Sequence, residues 1–385
     1  LKLAIGWNRI NLEILGIWPE PSDSESLFSA YRFIIPAFLV GGFICLPQSL
    51  ALYFVWDDVS VFCEILSTAW LPCTNALVKL LVVRYRREGE TSFNFSKNAF
   101  EKRAKTISML CTIITQTMVT LFIVMRTVQI IGTDRNPDDQ IHLLIYKGHV
   151  PLDMTSTSIL VLSNIGQIVS AVCSTISYTG VDSFVCMLVI HACAQFSTLE
   201  LRLDNLFGRI CLLQSADAFR KELGFIVKRH EHLIWFVGYA NTLEECFNFF
   251  LLFQMLLCTL QICIQSFQVL AVHVQNRSGA GSFLVYIFYV FLIAFIVSHI
   301  YLYCYMGEML LTQNAKMANS AYNAEWYNAG SDEAKIIMIL SCRSTIPLRF
   351  TAGKFGTFSM EMFSTILRTA MGYLSVLLTV ANFGD

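Results

Sequence analysis

Long apolar stretches separated by short polar ones dominate the chain, and their lengths point to helices that cross a bilayer. The hydrocarbon core of a bilayer needs about 20 consecutive apolar residues in helical conformation. Runs of that kind occur at about 33–56, 59–83, 106–131 and 157–199, then at about 236–272, 282–310 and 357–382. The fourth, fifth and sixth exceed what a bilayer requires, so their extra turns are expected to project into water on one side. A shorter helical stretch at about 333–346 precedes the last span and is too short to cross. The first run begins near Phe33, too deep in the chain and too long for a secretory signal. No internal repeat is detectable, which argues against inverted-repeat transporters. The pattern predicts an all-α membrane protein with seven spans.

Composition narrows the class further. Of 385 residues, 55% are hydrophobic and only 14% charged, against roughly 25% charged in soluble domains. A net charge of −1 lacks the basic footprint that nucleic-acid binding needs. The 13 cysteines are scattered through apolar segments without a CxxC pair. They read as small apolar fillers rather than a disulfide framework or a metal site. No HExxH, GxSxG or clustered intramembrane acid appears, so the sequence implies neither an enzyme nor a cofactor.

The charges also give direction. Twenty-one of the 27 Lys and Arg residues fall in the first 32 residues and in the loops on that same side of the spans. Arg135, Lys147 and Arg277 lie on the other side, and Lys79, Arg126 and Arg368 lie within spans. Basic loops stay in the cytoplasm, so the N-terminus is expected inside and the C-terminus outside. That is the inverse of a G-protein-coupled receptor, whose DRY-like and NPxxY-like motifs are also missing. Asn276, in the Asn276-Arg277-Ser278 sequon, falls in an outer loop and is a candidate glycosylation site.

Particular residues carry a resemblance. The last third holds Tyr305-Met306-Gly307-Glu308, Trp326-Tyr327, Pro347-Leu348-Arg349-Phe350-Thr351-Ala352-Gly353-Lys354 and Gly372-Tyr373-Leu374-Ser375-Val376-Leu377. Asp182-Ser183-Phe184 and Arg229-His230-Glu231 add to it. Together they resemble the insect odorant receptors. The gustatory relatives end in a TYxxxxxQF-like pattern that Gly372-Tyr373 and Thr379 do not match. The segment at about 200–235 is much shorter than the corresponding loop of the family's co-receptor, which points to the variable, ligand-tuning subunit.

The resemblance implies a ligand-gated, non-selective cation channel of four subunits. The partners it implies are the odorant co-receptor, a small volatile odorant and membrane lipid, at the plasma membrane of a sensory-neuron dendrite or cilium. It divides the chain into a cytoplasmic segment (1–32), spans one to six with the odour-binding bundle and long cytoplasmic helix extensions (33–310), a cytoplasmic assembly segment (311–356) and a last helix with a short outer tail (357–385).

On a wheel of 100° per residue, Thr365, Arg368, Thr369, Gly372, Ser375, Val376 and Thr379 share one arc of the last span. Small polar side chains suit a water-filled path, and they equally suit close helix packing. The resemblance favours the pore, with Thr369, Gly372, Ser375 and Thr379 lining it and Val376, the bulky apolar member, as candidate gate. Arg368 does not suit a cation pore. Glu308 could pair with Arg343, Arg349 or Lys354 and so join span six to the last helix, or could be a solvated helix-end charge. His230 and His232, two residues apart on a helix, point away from each other and argue against a metal. Asp182 lies within a span, where an acid is costly and needs a hydrogen-bonding partner.

A volatile ligand calls for a mostly apolar cavity with few polar groups, and the resemblance places it among spans two, three, four and six. The outer-half positions there are Phe62, Leu66, Ala69 and Trp70; Thr120, Ile123, Val124 and Thr127; Ile168, Val169 and Val172; Tyr286 and Tyr289.

Overall fold

The computed structural model of the protein describes residues 10–16, 27–85, 100–132, 140–151, 156–206, 216–242, 244–274, 280–352 and 356–382. Seven helices among them are long and apolar enough to cross a membrane. The first span joins α1 (Leu27–Val40) to α2 (Leu46–Phe54) through a π turn at Gly41–Cys45. The second joins α3 (Val59–Ile65) to α4 (Leu71–Tyr85) through another at Leu66–Trp70. Both π turns end two residues before a proline, Pro47 or Pro72. A proline ring clashes with the carbonyl four residues earlier and offers that carbonyl no N–H, and a widened turn relieves both problems. Ser67, inside the second turn, has its carbonyl taken by the Gln261 amide at 3.0 Å.

The remaining helices are α5 (Phe100–Gly132), α6 (Thr157–Asn205), α7 (Ala216–Thr242), α8 (Glu244–Val274), α9 (Ala280–Asn323), α10 (Ser331–Ser344) and α11 (Met360–Asn382). The run expected as one helix over about 236–272 takes in the end of α7 and most of α8, and its membrane-crossing part is Leu251–Leu270. The all-α expectation also misses a small antiparallel ladder, β1 (Thr351–Ala352) with β2 (Gly356–Thr357), which pairs Thr351 with Thr357 and Ala352 with Gly356.

With 49 residues, α6 is about 74 Å long at 1.5 Å per residue, more than twice the bilayer core. The 44 residues of α9 overshoot similarly. Their far ends, with α7, α10 and the start of α11, build the largest apolar cluster, centred on Phe196, Leu203, Ile226, Tyr303, Met317 and Ile337. These extensions are the basic end of the bundle. Polar clasps fix them: Asn314 donates to the carbonyls of Ser344 and Ile346 at 2.9 Å each, and the Ser344 hydroxyl meets His230 Nε2 at 3.0 Å. A second cluster, around Phe122, Tyr146, Phe288 and Tyr289, lies towards the opposite end. There α6 packs against the π turn of the first span closely enough that a side chain at Gly166 would strike the Phe43 ring.

Candidate functional site

The second cluster surrounds a cavity of about 110 Å³. Thr68, in the π turn, and Pro72 form one wall; Thr115, Met118, Val119 and Phe122 of α5 form the next. Ser174, Thr175 and Tyr178 come from α6, Gln261 from α8, and Phe288, Leu292, Phe295 and Ile296 from α9. Most wall hydroxyls are already engaged. Thr115 and Thr175 donate to carbonyls of their own helices at 2.7 and 3.0 Å, and Ser174 donates to Cys73 Sγ at 3.4 Å. The Thr68 hydroxyl is buried beside the Tyr289 side chain, without a hydrogen bond of ordinary geometry among the described residues. Such a space accepts an apolar body and few polar atoms.

A loop segment closes the cavity from the end opposite the basic one. Tyr146 reaches its wall and packs on Phe122 at 5.0 Å. Gln167 of α6 holds the Tyr146 backbone from both sides, accepting its N–H and donating to its carbonyl at 3.0 Å each. Asn164 accepts the Ile145 N–H at 2.9 Å, and Arg126 donates to the carbonyls of Ile145 and Leu144 at 3.2 and 3.3 Å. Lys147 pairs with Glu64 at 2.7 Å. Arg126, a cation inside a span, is thereby accounted for: it straps the loop to the bundle.

None of the thirteen positions expected to bind ligand lines this cavity. Ala69 borders a small hollow beside it, shared with Thr68, Phe122 and Tyr146. Ile123, Ile168 and Tyr289 pack in the same apolar cluster. Phe62, Leu66 and Trp70 belong to another, with Cys63, Leu71 and Ile264, and Trp70 donates to the Ser49 hydroxyl at 2.9 Å. Val124, Val169, Val172 and Tyr286 are exposed on the outside of the chain. Thr120 and Thr127 are exposed too, and donate to the carbonyls of Gln116 and Ile123 in their own helix. Two features separate these positions from the cavity wall. The π turn at Leu66–Trp70 departs from regular helical phase in the second span, and the outward sides of α5, α6 and α9 are as apolar as their inner sides.

Beneath the cavity lies a buried ionic cluster. Asp182 accepts from Lys79 Nζ at 2.5 Å and from the Tyr303 hydroxyl at 2.7 Å, both through Oδ1, while Oδ2 lies 2.5 Å from His299 Nε2. The Tyr178 hydroxyl is 3.4 Å from His299 Nδ1, and Lys79 Nζ stands 3.6 Å from the centre of the Tyr178 ring. The partner that Asp182 needed is thus threefold. Lys79 and Asp182 stood out in the sequence as charges within spans; that they pair was not readable, because 103 positions separate them.

The last helix turns Ile366, Ala370 and Leu374 inward onto α8 and α9. Thr365, Arg368, Thr369, Gly372, Ser375, Val376 and Thr379 face outward, uncovered in the single chain. The hydroxyls of Thr365, Thr369, Ser375 and Thr379 donate to carbonyls of their own helix, leaving lone pairs towards the open side. Glu308 accepts the Met360 N–H at 3.4 Å, at the first residue of α11, rather than pairing with Arg343 or Arg349; Lys354 lies outside the described residues. It joins span six to the last helix as a cap, which orphan N–H groups at a helix start favour. Asn276 also lies outside the described residues.

At the basic end, burial and the nearby Arg343 guanidinium hold the His230 imidazole down at about 4. His230 is a packed, hydrogen-bonded core residue and His232 is exposed. Among the described residues no group of His, Cys, Asp and Glu is arranged to hold a metal.

Comparison with known proteins agrees with this geometry. The family model "7tm Odorant receptor" matches residues 71–371. The chain is 25% identical over 406 residues to odorant receptor 13a of Drosophila melanogaster, covering 96% of this chain and 94% of that one. It is 28% identical over 159 residues to the odorant receptor coreceptor of Harpegnathos saltator, covering 41% of this chain and 31% of that one. In fold it is similar to the insect olfactory receptor OR5 from Machilis hrabei in complex with eugenol, with a TM-score of 0.76 and 15% identity, covering 97% of this chain and 98% of that one.

Proposed function

The chain belongs to the 7tm odorant receptor family, a multi-pass membrane receptor rather than an enzyme, and on that premise we propose that it is an odour-tuning subunit of a ligand-gated cation channel. The observation that carries the proposal is the cavity between α4, α5, α6, α8 and α9, with its aromatic and aliphatic walls. Its ligand is a small volatile with an apolar body and one or two polar atoms, one of which meets the Thr68 hydroxyl. Binding draws on apolar burial, about 25 cal/mol per Å², with little directional bonding, so affinity is modest and tuning broad. The ligand opens the channel only by binding the open form better than the closed one.

In this reading the basic end faces the cytoplasm, and the C-terminus lies outside. The outward stripe of α11 lines a pore shared by four subunits, with Val376 at the constriction and Thr369, Ser375 and Thr379 hydrating ions. The partner is the odorant co-receptor, whose relatives align with part of this chain, and the site of action is the plasma membrane of a sensory-neuron dendrite or cilium. An epitope at the C-terminus, stained in unpermeabilised cells, tests the orientation. Outside staining is expected; staining only after permeabilisation would turn the bundle over and favour a G-protein-coupled receptor.

A further inference from the structure

No residue of α11 lines the cavity, yet one face of α9 touches both. Leu292, Phe295 and Ile296 border the cavity. His299, Tyr303 and Gly307 follow at steps of three or four residues, which places them above one another on a single helix face. The upper end of this stripe meets Tyr178 at the cavity floor, where the His299 ring lies 5.1 Å from the Tyr178 ring. Its middle is the Asp182 cluster already described. Its lower end reaches the start of the last helix: the Tyr303 ring packs on Phe358 at 5.6 Å and stacks on Phe350 at 6.4 Å and 4°. Phe358 lies against Gly307, two residues before α11 begins, and Glu308 caps that helix.

The ionic centre of this chain of contacts is out of water, and Tyr178 at its upper end is half-buried. Lys79 and Tyr303 are fully buried, and Asp182 and His299 nearly so. Charges in that setting hold good geometry or lose a great deal, since misaligned partners find no water to replace them. Such a cluster moves between discrete arrangements rather than drifting, which is what transmission between two sites requires.

We propose that Tyr178, Asp182 and Tyr303 form the element that couples occupation of the cavity to the last helix, an inference that rests on the cavity being the odour site. A ligand against the Tyr178 ring displaces it relative to Lys79 and His299. Asp182 holds those same two groups and the Tyr303 hydroxyl, so the displacement becomes a shift of Tyr303 against Phe358 at the foot of α11. Tyr178 and Tyr303 are positioning residues: they act on the pore helix through their neighbours.

Tyr303→Phe and Tyr178→Phe each remove one hydroxyl while keeping the ring and leaving no new buried charge. Each variant, and the double, is expressed with the co-receptor. Eugenol and a panel of medium-chain alcohols, ketones and esters serve as probes, and the one that best activates the wild type is carried forward. Two readouts are taken at matched surface level: maximal current, and occupancy from ligand-induced thermal stabilisation of the purified protein. For Tyr303→Phe, current is expected to fall about ten-fold, as for losing a hydrogen bond to a charged group, with the occupancy midpoint shifted less than about three-fold. The double variant is expected to be no worse than the worse single, because both act in one network. Wild-type gating by Tyr303→Phe, equal loss of occupancy and current, or losses that multiply in the double would overturn the proposal. If Tyr303→Phe does not reach the surface, Tyr178→Phe decides by the same two readouts. Leu292→Trp, which fills the cavity, separates the two ideas: occupancy and current unchanged by it would refute the odour site itself.

Discussion

The carbonyl oxygen of Phe358 occupies the space that a side chain at Gly307 would take: an ideal Cβ there would lie 2.2 Å from it. The neighbour is backbone, so nothing flexible is available to yield. Gly307→Ala must push the start of α11 away from α9, at a cost of about 1–3 kcal/mol for overpacking. A lower thermal midpoint in detergent and a resting current altered by at least about five-fold are expected. A variant that melts and conducts like the wild type would show that the foot of α11 is not held there.

The cavity wall makes a prediction about odour size. Phe288→Ala removes an aromatic side chain that lines the cavity beside Phe122, so sensitivity should move towards bulkier volatiles, by about ten-fold or more in half-effective concentration, since even one methylene of fit is worth about ten-fold or more. Tyr286→Ala, on the exposed face two residues away, should shift it by less than about three-fold. Dose–response curves on a homologous series check both. Equal shifts from both positions would place the ligand outside this cavity.

Val376 projects from the uncovered face of the last helix, 59% exposed in the single chain. As a constriction it excludes water when narrow. Val376→Ala is expected to raise resting conductance or change the relative permeability of sodium and calcium, while leaving the half-effective odour concentration within about two- to three-fold. Unaltered resting current and selectivity from a variant at normal surface level would remove it from the pore.

His230 gives a pH dependence with a definite sign. In the folded protein its imidazole stays neutral down to about 4, whereas in an unfolded chain it takes up a proton near about 6.5. Unfolding therefore binds a proton between those values, and stability falls as the pH drops from about 6.5 to about 4, by on the order of 3 kcal/mol in all. Melting midpoints across that window should fall less steeply for His230→Gln than for the wild type. Parallel slopes would mean that the imidazole is already charged against Ser344 and Arg343.

The spans are legible in the sequence because a bilayer imposes one length and one composition on every crossing. The extensions of α6 and α9 are legible as excess length, though not what they pack. The site is less legible. At Leu66–Trp70 the widened turn before Pro72 rotates the helix, so that Thr68 rather than Leu66 or Trp70 faces the cavity. On α5 and α6 the outward Val124 and Val169 and the inward Met118 and Val119 are equally apolar, since lipid and core ask for the same side chains. Polar exceptions carried the usable signal. Lys79, Arg126 and Asp182 are each improbable in a span and so mark the ionic cluster and the loop strap, although their partners, distant in sequence or backbone carbonyls, are not readable from it.

The central claim, an odour-gated channel subunit, is tested most directly by whole-cell current during a panel of volatiles. Cells express this chain alone, this chain with the odorant co-receptor, or the co-receptor alone, with G-protein signalling blocked. The account predicts odour-evoked cation currents that require both chains and survive the block. Currents that vanish under the block, or odour responses identical with the co-receptor alone, would contradict it.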